Sequence, residues 1–188
     1  MLDKEYLILP SVEYSHWWFR FLHDQVKDFL YNEYLSLKRP LKIFDAGCGT
    51  GGLLFKLSRE SWIESVSGCE PNSFAFETTQ KLGLEVQNSK IEDIDSVSIR
   101  YDVVLCMDVL YHKESDPNKS IKSILKLLKP QGILLLNVAA MPCLRRSHDV
   151  RVYGARRFLL NQLSGLVSNS GFVIEKLFYW NSLLTPFV

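Results

Sequence analysis

The stretch Phe44-Asp45-Ala46-Gly47-Cys48-Gly49-Thr50-Gly51-Gly52 decides the fold. It grows out of the apolar run Leu41 to Asp45, which reads as a buried strand breaking into glycines. A helical pattern from Leu53 to Arg59 follows. Glycines after a buried strand let the backbone approach a ligand closely, and the next helix turns the positive end of its dipole toward the same point. Gly47, Gly49 and Gly52 also satisfy the spacing GxGxxG of dinucleotide-binding loops, which is weak evidence alone. Asp45 changes the balance. A carboxylate two places before the first glycine repels a pyrophosphate but can orient a cationic or amino-acid ligand.

Outward from this loop, strands and helices alternate. Val66 to Glu70 is a second strand candidate, and Ser73 to Leu82 a helix stopped by Gly83. Val86 lies in a short third strand, and Tyr101 to Cys106 is a strongly apolar fourth. Asp116-Pro117 opens a helix with a capping carboxylate and proline at the first helical position. Ile121, Ile124, Leu125 and Leu128 are its expected buried face. Gln131-Gly132 turns into a fifth strand, Ile133 to Val138. Arg156 to Ser170 is expected to be helical, with a stop at Gly171 and a sixth strand from Phe172 to Tyr179. Upstream, Ser11 to Leu37 reads as helix from the spacing of Val26, Phe29, Leu30 and Tyr34. The alternation predicts a doubly wound α/β fold: a mostly parallel sheet covered on both faces, with residues 1–40 as a helical cap on a body of residues 41–188 in one domain.

Length and composition agree. The chain has 188 residues, 47% of them hydrophobic and 23% charged, with 22 Lys plus Arg against 21 Asp plus Glu. This suits one domain with a real core. A net charge of +1 carries no broad electrostatic footprint for nucleic acid, so a small-molecule acceptor and no nucleic acid partner are expected. Cys48, Cys69, Cys106 and Cys143 form no CxxC pair, so neither a zinc site nor a redox motif is indicated, and no metal is expected. Reduced thiols, no signal-peptide opening and no bilayer-length apolar run together predict a cytoplasmic protein without stable membrane insertion.

A second carboxylate sharpens the ligand. In Gly68-Cys69-Glu70-Pro71-Asn72, Glu70 ends the second strand, where Rossmann-like folds hold ribose hydroxyls. The ordered set FDAGCGTGG, GCEPN, YDVVLCMDVLYH and LLKPQGILLLN resembles the motifs of class I S-adenosylmethionine-dependent methyltransferases over Leu41 to about Val138. The resemblance implies S-adenosylmethionine as cofactor. Asp45, Gly47, Cys48 and Gly49 would face its methionine half, and Glu70 with Pro71 its ribose. Ile91 and Glu92 would border its adenine, with Cys106 nearby. It also implies a sheet that normally ends in an antiparallel pair of strands. Only residues 180–188 follow the sixth strand, so the last strand is expected to be missing or rudimentary, leaving an exposed edge that favours pairing with another chain.

Glu13-Tyr-Ser-His-Trp-Trp-Phe-Arg20 resembles the HWWF opening of a bacterial methyltransferase subgroup whose members often accompany glycan, lipid or secondary-metabolite pathways. Ser147-His148-Asp149 with Arg156-Arg157-Phe158 resembles a second segment of that subgroup, although Tyr153-Gly154 stands where the subgroup has Gly-His. On this resemblance Trp17, Trp18, Arg20, His148 and Arg156 are acceptor-side candidates. His16 to Phe19 are too aromatic for a solvated helix face, and a lid over the strand ends would bury them. His112, just past the fourth strand at the open end of the sheet, is the candidate base, since a histidine can accept a proton near neutrality. A donor-binding protein without catalysis and a nicotinamide-dependent oxidoreductase remain as other readings of the same loop.

Overall fold

A computed structural model of the chain describes residues 3–94 and 99–180, apart from the side chains of residues 3–5, 14 and 148. Five parallel strands form one sheet in the order β3-β2-β1-β4-β5. They are β1 (Leu41–Ala46), β2 (Ile63–Cys69), β3 (Glu85–Gln87), β4 (Tyr101–Met107) and β5 (Leu128–Asn137). The helices are α1 (Asp3–Ser15), α2 (Trp17–Leu37), α3 (Gly52–Leu57), α4 (Ser73–Lys81), α5 (Pro117–Leu127), α6 (Ser147–Arg151) and α7 (Leu160–Asn169). This is the expected Rossmann-like α/β architecture.

β1 is central, paired with β2 on one side and β4 on the other. All of it except Lys42 is buried, as a parallel strand covered on both faces requires. Alternate residues of β1 and β4 feed two core layers. Phe44, Ala46, Val104 and Cys106 pack with Ile121 and Ile124 of α5 and Leu163 of α7. Leu41, Ile43, Val103 and Leu105 pack with Val26 and Leu30 of α2 and with Leu53 and Leu57 of α3. α2 thus covers one face of the sheet.

Several expected boundaries shift. The N-terminal helix is two helices broken at His16, whose extended backbone and Nδ1, accepting from Trp18 N, cap α2. Asp116 caps α5 as expected, its carboxylate accepting from Asn118 N and Lys119 N. The buried stripe of α5, however, is Ile121, Ile124 and Leu127. Leu125 is exposed and Leu128 already belongs to β5. α7 starts at Leu160 rather than Arg156, because Phe158 first bridges to Ala140.

The expected sixth strand is not one. Residues 172–179 carry no strand, and among the described residues no strand pairs with the outer edge of β5. The segment is held instead by Phe172 and Leu177 against the core and by Leu160 N donating to the Tyr179 hydroxyl. The expected missing or rudimentary seventh strand falls in residues 181–188, outside the described residues.

At the opposite end from the glycine loop, Asp102 joins three elements. Its carboxylate accepts from Arg39 Nη2 at 2.6 Å, Lys129 Nζ at 2.9 Å and Lys42 N at 2.9 Å. Burial alone would raise it, but these donors outweigh burial and hold it at about 2. Asp102→Asn should therefore cost roughly 1.5–3 kcal/mol in urea unfolding, the usual worth of bonds to a charged group. The loss should shrink as pH falls through about 2, where the wild-type carboxyl itself takes up a proton.

Candidate active site

The C-terminal ends of β1, β2 and β4 meet at the glycine loop. Gly47 N and Cys48 N both donate to Cys69 O, at 2.9 and 3.0 Å, which locks the loop onto the end of β2. Gly47 has φ +89°, and a Cβ there would collide with Val109 just after β4. Only glycine lets the loop turn this close to β4.

Three carboxylates gather on the loop. Glu70, 3% exposed, accepts from Gly49 N at 3.0 Å through Oε2 and from Asn72 N at 2.9 Å through Oε1. Asp45, also 3% exposed, has an Oδ1 with no hydrogen-bond partner among the described residues. Glu13 reaches in from α1, accepting from Thr50 Oγ1 at 2.8 Å and Gly52 N at 3.1 Å. A Cβ on Gly52 would strike this carboxylate. Burial and mutual repulsion push Glu13 up to about 7 and Asp45 to about 8. Burial also raises Glu70, against the backbone donors of Asn72 and Gly49 and the Tyr6 hydroxyl.

Beside the loop lies a cleft of about 90 Å³, lined by Tyr6, Gly47, Pro71, Ile91, Glu92 and His112 among others. It thus brings together five residues expected from the sequence. Cavities for whole ligands are usually roughly 300–1,000 Å³, and here Tyr6 of α1 lies between this cleft and Glu70, which does not line it. The Tyr6 hydroxyl donates to Glu70 Oε1 at 3.2 Å. A ligand of nucleoside size therefore needs the Tyr6 end of α1 to move aside. Pro10 lies inside α1 and has no N–H to bond the Tyr6 carbonyl one turn back, so the helix is weakened between Tyr6 and Glu13.

His112 Nδ1 lies 2.7 Å from the Val152 carbonyl. A carbonyl only accepts, so the proton sits on Nδ1 and Nε2 carries the lone pair. Burial pulls the histidine below its ordinary value, leaving it neutral at pH 7. Arg156 donates to Ser115 O at 3.2 Å, on the wall of the cleft.

Other expected site residues stand elsewhere. Cys106 is fully buried in the core and does not reach the cleft. Cys48 is buried beneath the loop, against Leu54 and Leu84. Glu92 is partly engaged, accepting from Asp116 N and Ser120 Oγ at the start of α5. Trp17 and Arg20 are exposed on α2. Trp18 packs on Trp180 with ring centroids 4.5 Å apart, and the Trp180 indole donates to Asn137 Oδ1 at 2.7 Å. The aromatic start of α2 thus sits at the end of β5, above Asp108, which pairs with Asn137. His148 lies on α6, its side chain outside the described residues. Glu13 and Tyr6 were not singled out by sequence. Glu13 opens the HWWF-like stretch, but nothing in its neighbours marks it as buried.

Residues 14–177 match the family described as "Methyltransferase domain". The chain belongs to this methyltransferase family. That agrees with the S-adenosylmethionine-dependent methyltransferase expected from the motifs and removes the oxidoreductase reading of the glycines. The tRNA U34 carboxymethyltransferase of Campylobacter fetus is 28% identical over 110 residues, 55% of this chain and 38% of that protein. The ubiquinone biosynthesis O-methyltransferase of Coxiella burnetii is 28% identical over 149 residues, 72% of this chain and 62% of that protein. The chain therefore spans less than two thirds of the length of each of these relatives. Among solved structures, the plantazolicin methyltransferase BpumL aligns with a TM-score of 0.69 at 19% identity, covering 89% of this chain and 69% of that one; it shares the fold.

The tRNA-modifying relatives overturn the expectation that nucleic acid is excluded as a partner. That expectation rested on the whole-chain balance, which hides a local one. Arg145, Arg146, Arg151, Arg156 and Arg157 fall within thirteen residues, against Asp149 alone. No helix among the described residues is long and apolar enough to cross a membrane.

The three raised carboxyls have a consequence for stability. Each holds a proton in the folded protein at pH values where the unfolded chain has lost it, so stability falls as pH rises toward their folded values. Buried His23, held down at about 4, acts in the opposite direction only below about pH 6.5. Between pH 6.5 and 8 the ligand-free protein should lose on the order of 2 kcal/mol. Urea melts across this range check the slope, and Asp45→Asn should flatten most of it.

Proposed function

We propose that this methyltransferase domain moves a methyl group from S-adenosylmethionine to a hydroxyl of a small acceptor, at the cleft between the glycine loop and His112. The observation that carries the reading is the arrangement at the ends of β1 and β2. Two buried carboxylates flank a backbone too close-packed for side chains, and one carboxylate oxygen, Asp45 Oδ1, lacks a partner among the described residues. That donor set fits a ligand with a cationic amino-acid half and a ribose.

S-adenosylmethionine supplies a methyl group on a sulfonium that departs as a neutral thioether. The chain's own residues bind, align and exclude water. Asp45 takes the amino group, Gly47 and Gly49 allow the close approach, and Glu70 accepts the ribose hydroxyls once Tyr6 gives way. Pro71, Ile91 and Glu92 border the adenine. His112, neutral with Nε2 unprotonated, accepts the acceptor's hydroxyl proton as the new bond forms. Trp18 and Trp180 roof the ends of β4 and β5 on the acceptor side, with Arg156 at the cleft wall.

A hydroxyl acceptor is favoured because a relative matched over 72% of this chain is an O-methyltransferase. The HWWF-like opening fits a role in glycan, lipid or secondary-metabolite synthesis. A second reading, a nucleic acid acceptor, is favoured by the arginines of residues 145–157 and by the tRNA-modifying relatives. Labelled donor offered to a metabolite extract and, separately, to bulk tRNA distinguishes the two by where the label appears.

Two substitutions test the assignment. Glu70→Ala should weaken S-adenosylhomocysteine binding by roughly ten- to a thousandfold in calorimetry, since it removes charge-assisted bonds. An unchanged affinity in a folded variant would remove Glu70 from the ribose site. His112→Ala should lower the turnover number by about 10²–10⁴-fold while donor affinity barely changes. Because burial depresses the histidine, the acid limb of the wild-type rate should lie below pH 6.5, and the variant should lack it.

A further inference from the structure

α1 does more than cover the loop. Glu13 is 8% exposed, and its Oε2 is fixed by two donors, Thr50 Oγ1 and Gly52 N. Its Oε1 lies 3.6 Å from the point where a Cβ on Gly49 would stand. Gly49 is also the residue whose N–H binds Glu70. Glu13 and Glu70 thus abut the same peptide from opposite elements, and both repel Asp45. Among the described residues, the hydrogen-bond donors that reach Glu13 and Glu70 are neutral groups, and no lysine or arginine side chain bonds to any of the three. Asp45, whose buried Oδ1 has no hydrogen-bond partner among the described residues, lies close enough to Glu13 and Glu70 to be repelled by both.

Such a cluster is costly in isolation. Buried like charges are tolerated only when protonated or compensated by a cation. The ligand expected here brings cationic groups, an ammonium and, in the donor itself, a sulfonium.

We propose that Glu13 is a third carboxylate of the donor site, supplied by α1, which compensates the positive charge of the donor together with Asp45 and Glu70. The inference rests on the methyltransferase reading above and adds to it a residue outside the loop and strand-end motifs. It makes α1 part of donor recognition, so that docking of the helix and binding of the donor reinforce each other. The Tyr6 end of the helix moves off Glu70, while the Glu13 end stays on the loop.

Among the described residues, the groups facing Glu13 are Asp45 on β1, Glu70 after β2, Thr50 on the loop and Gly52 at the start of α3. With Glu13 raised to about 7 and Asp45 to about 8, the ligand-free cluster carries protons at neutral pH. A bound cation lowers both carboxyls, so binding releases protons, and affinity rises with pH until the cluster is ionised.

The test uses the full chain and two ligands in calorimetry, sinefungin, with an amine cation near the sulfonium position, and S-adenosylhomocysteine, which lacks that charge. Buffers of different ionisation enthalpy give the number of protons released. Wild type should release protons at pH 7, more with sinefungin than with S-adenosylhomocysteine. Glu13→Gln keeps an acceptor oxygen for Thr50 and Gly52 but removes the charge. It should release about half a proton fewer per sinefungin at pH 7, and bind it roughly ten- to a hundredfold more weakly at pH 8. A folded Glu13→Gln protein with wild-type affinity and wild-type proton release would overturn the proposal and leave Glu13 as a tether between helix and loop. Weakened binding with unchanged proton release would overturn it equally. If wild type binds neither ligand, the methyltransferase reading of the cleft falls first and takes this inference with it.

Discussion

The close approach of the Gly47 backbone to the Val109 side chain is the constraint on which the rest depends. The loop can leave β1 and still hang from the Cys69 carbonyl only if nothing projects toward Val109. That seating brings the ends of β1, β2 and β4 within reach of one ligand. It also places Asp45 and Glu70 in a dry environment, where each carboxylate matters more than it would in water. The two core layers on either side of β1 hold the strand rigid beneath the loop, so the site stands on the most buried part of the sheet.

Much of this was legible in the sequence because its signals are local. A glycine run after an apolar strand, an Asp-Pro helix opening and a Gly83 stop act through neighbouring backbone and stay where they are read. Glu70 was placed by its position after a strand, and the strand is where it was expected. The misreadings are those decided by partners distant in the chain. Residues 172–179 have the composition of a strand, but they pack through Phe172 and Leu177 against the core and do not pair with β5. Leu125 fits an apolar period, yet the helix turns it to solvent. Cys106 is close to the ligand motifs in sequence but faces the core. Glu13 and Tyr6 went unseen because burial of a helix carboxylate depends on what α1 docks against, thirty to sixty residues away.

The proposed acceptor side draws on more scattered parts. Trp18 comes from α2, Trp180 from the end of the described chain, His112 from the loop after β4 and Arg156 from the segment before α7. The arginines near that segment show how a whole-chain charge count can mislead: a balance of +1 is compatible with a strongly basic edge, and phosphate recognition responds to the edge. Arg157 is bidentate on buried Asp149, which makes it a brace for the segment, whereas Arg156 reaches the cleft wall.

The central claim is that the glycine loop and its carboxylates form the methyl donor site. Amide hydrogen exchange with and without S-adenosylhomocysteine tests it most directly. The account predicts slower exchange in residues 45–52, 69–72 and 90–92 on binding, together with a change in the Tyr6 end of α1 as it leaves Glu70. Ligand binding that leaves those segments unchanged, or that protects only residues remote from the ends of β1 and β2, would contradict it.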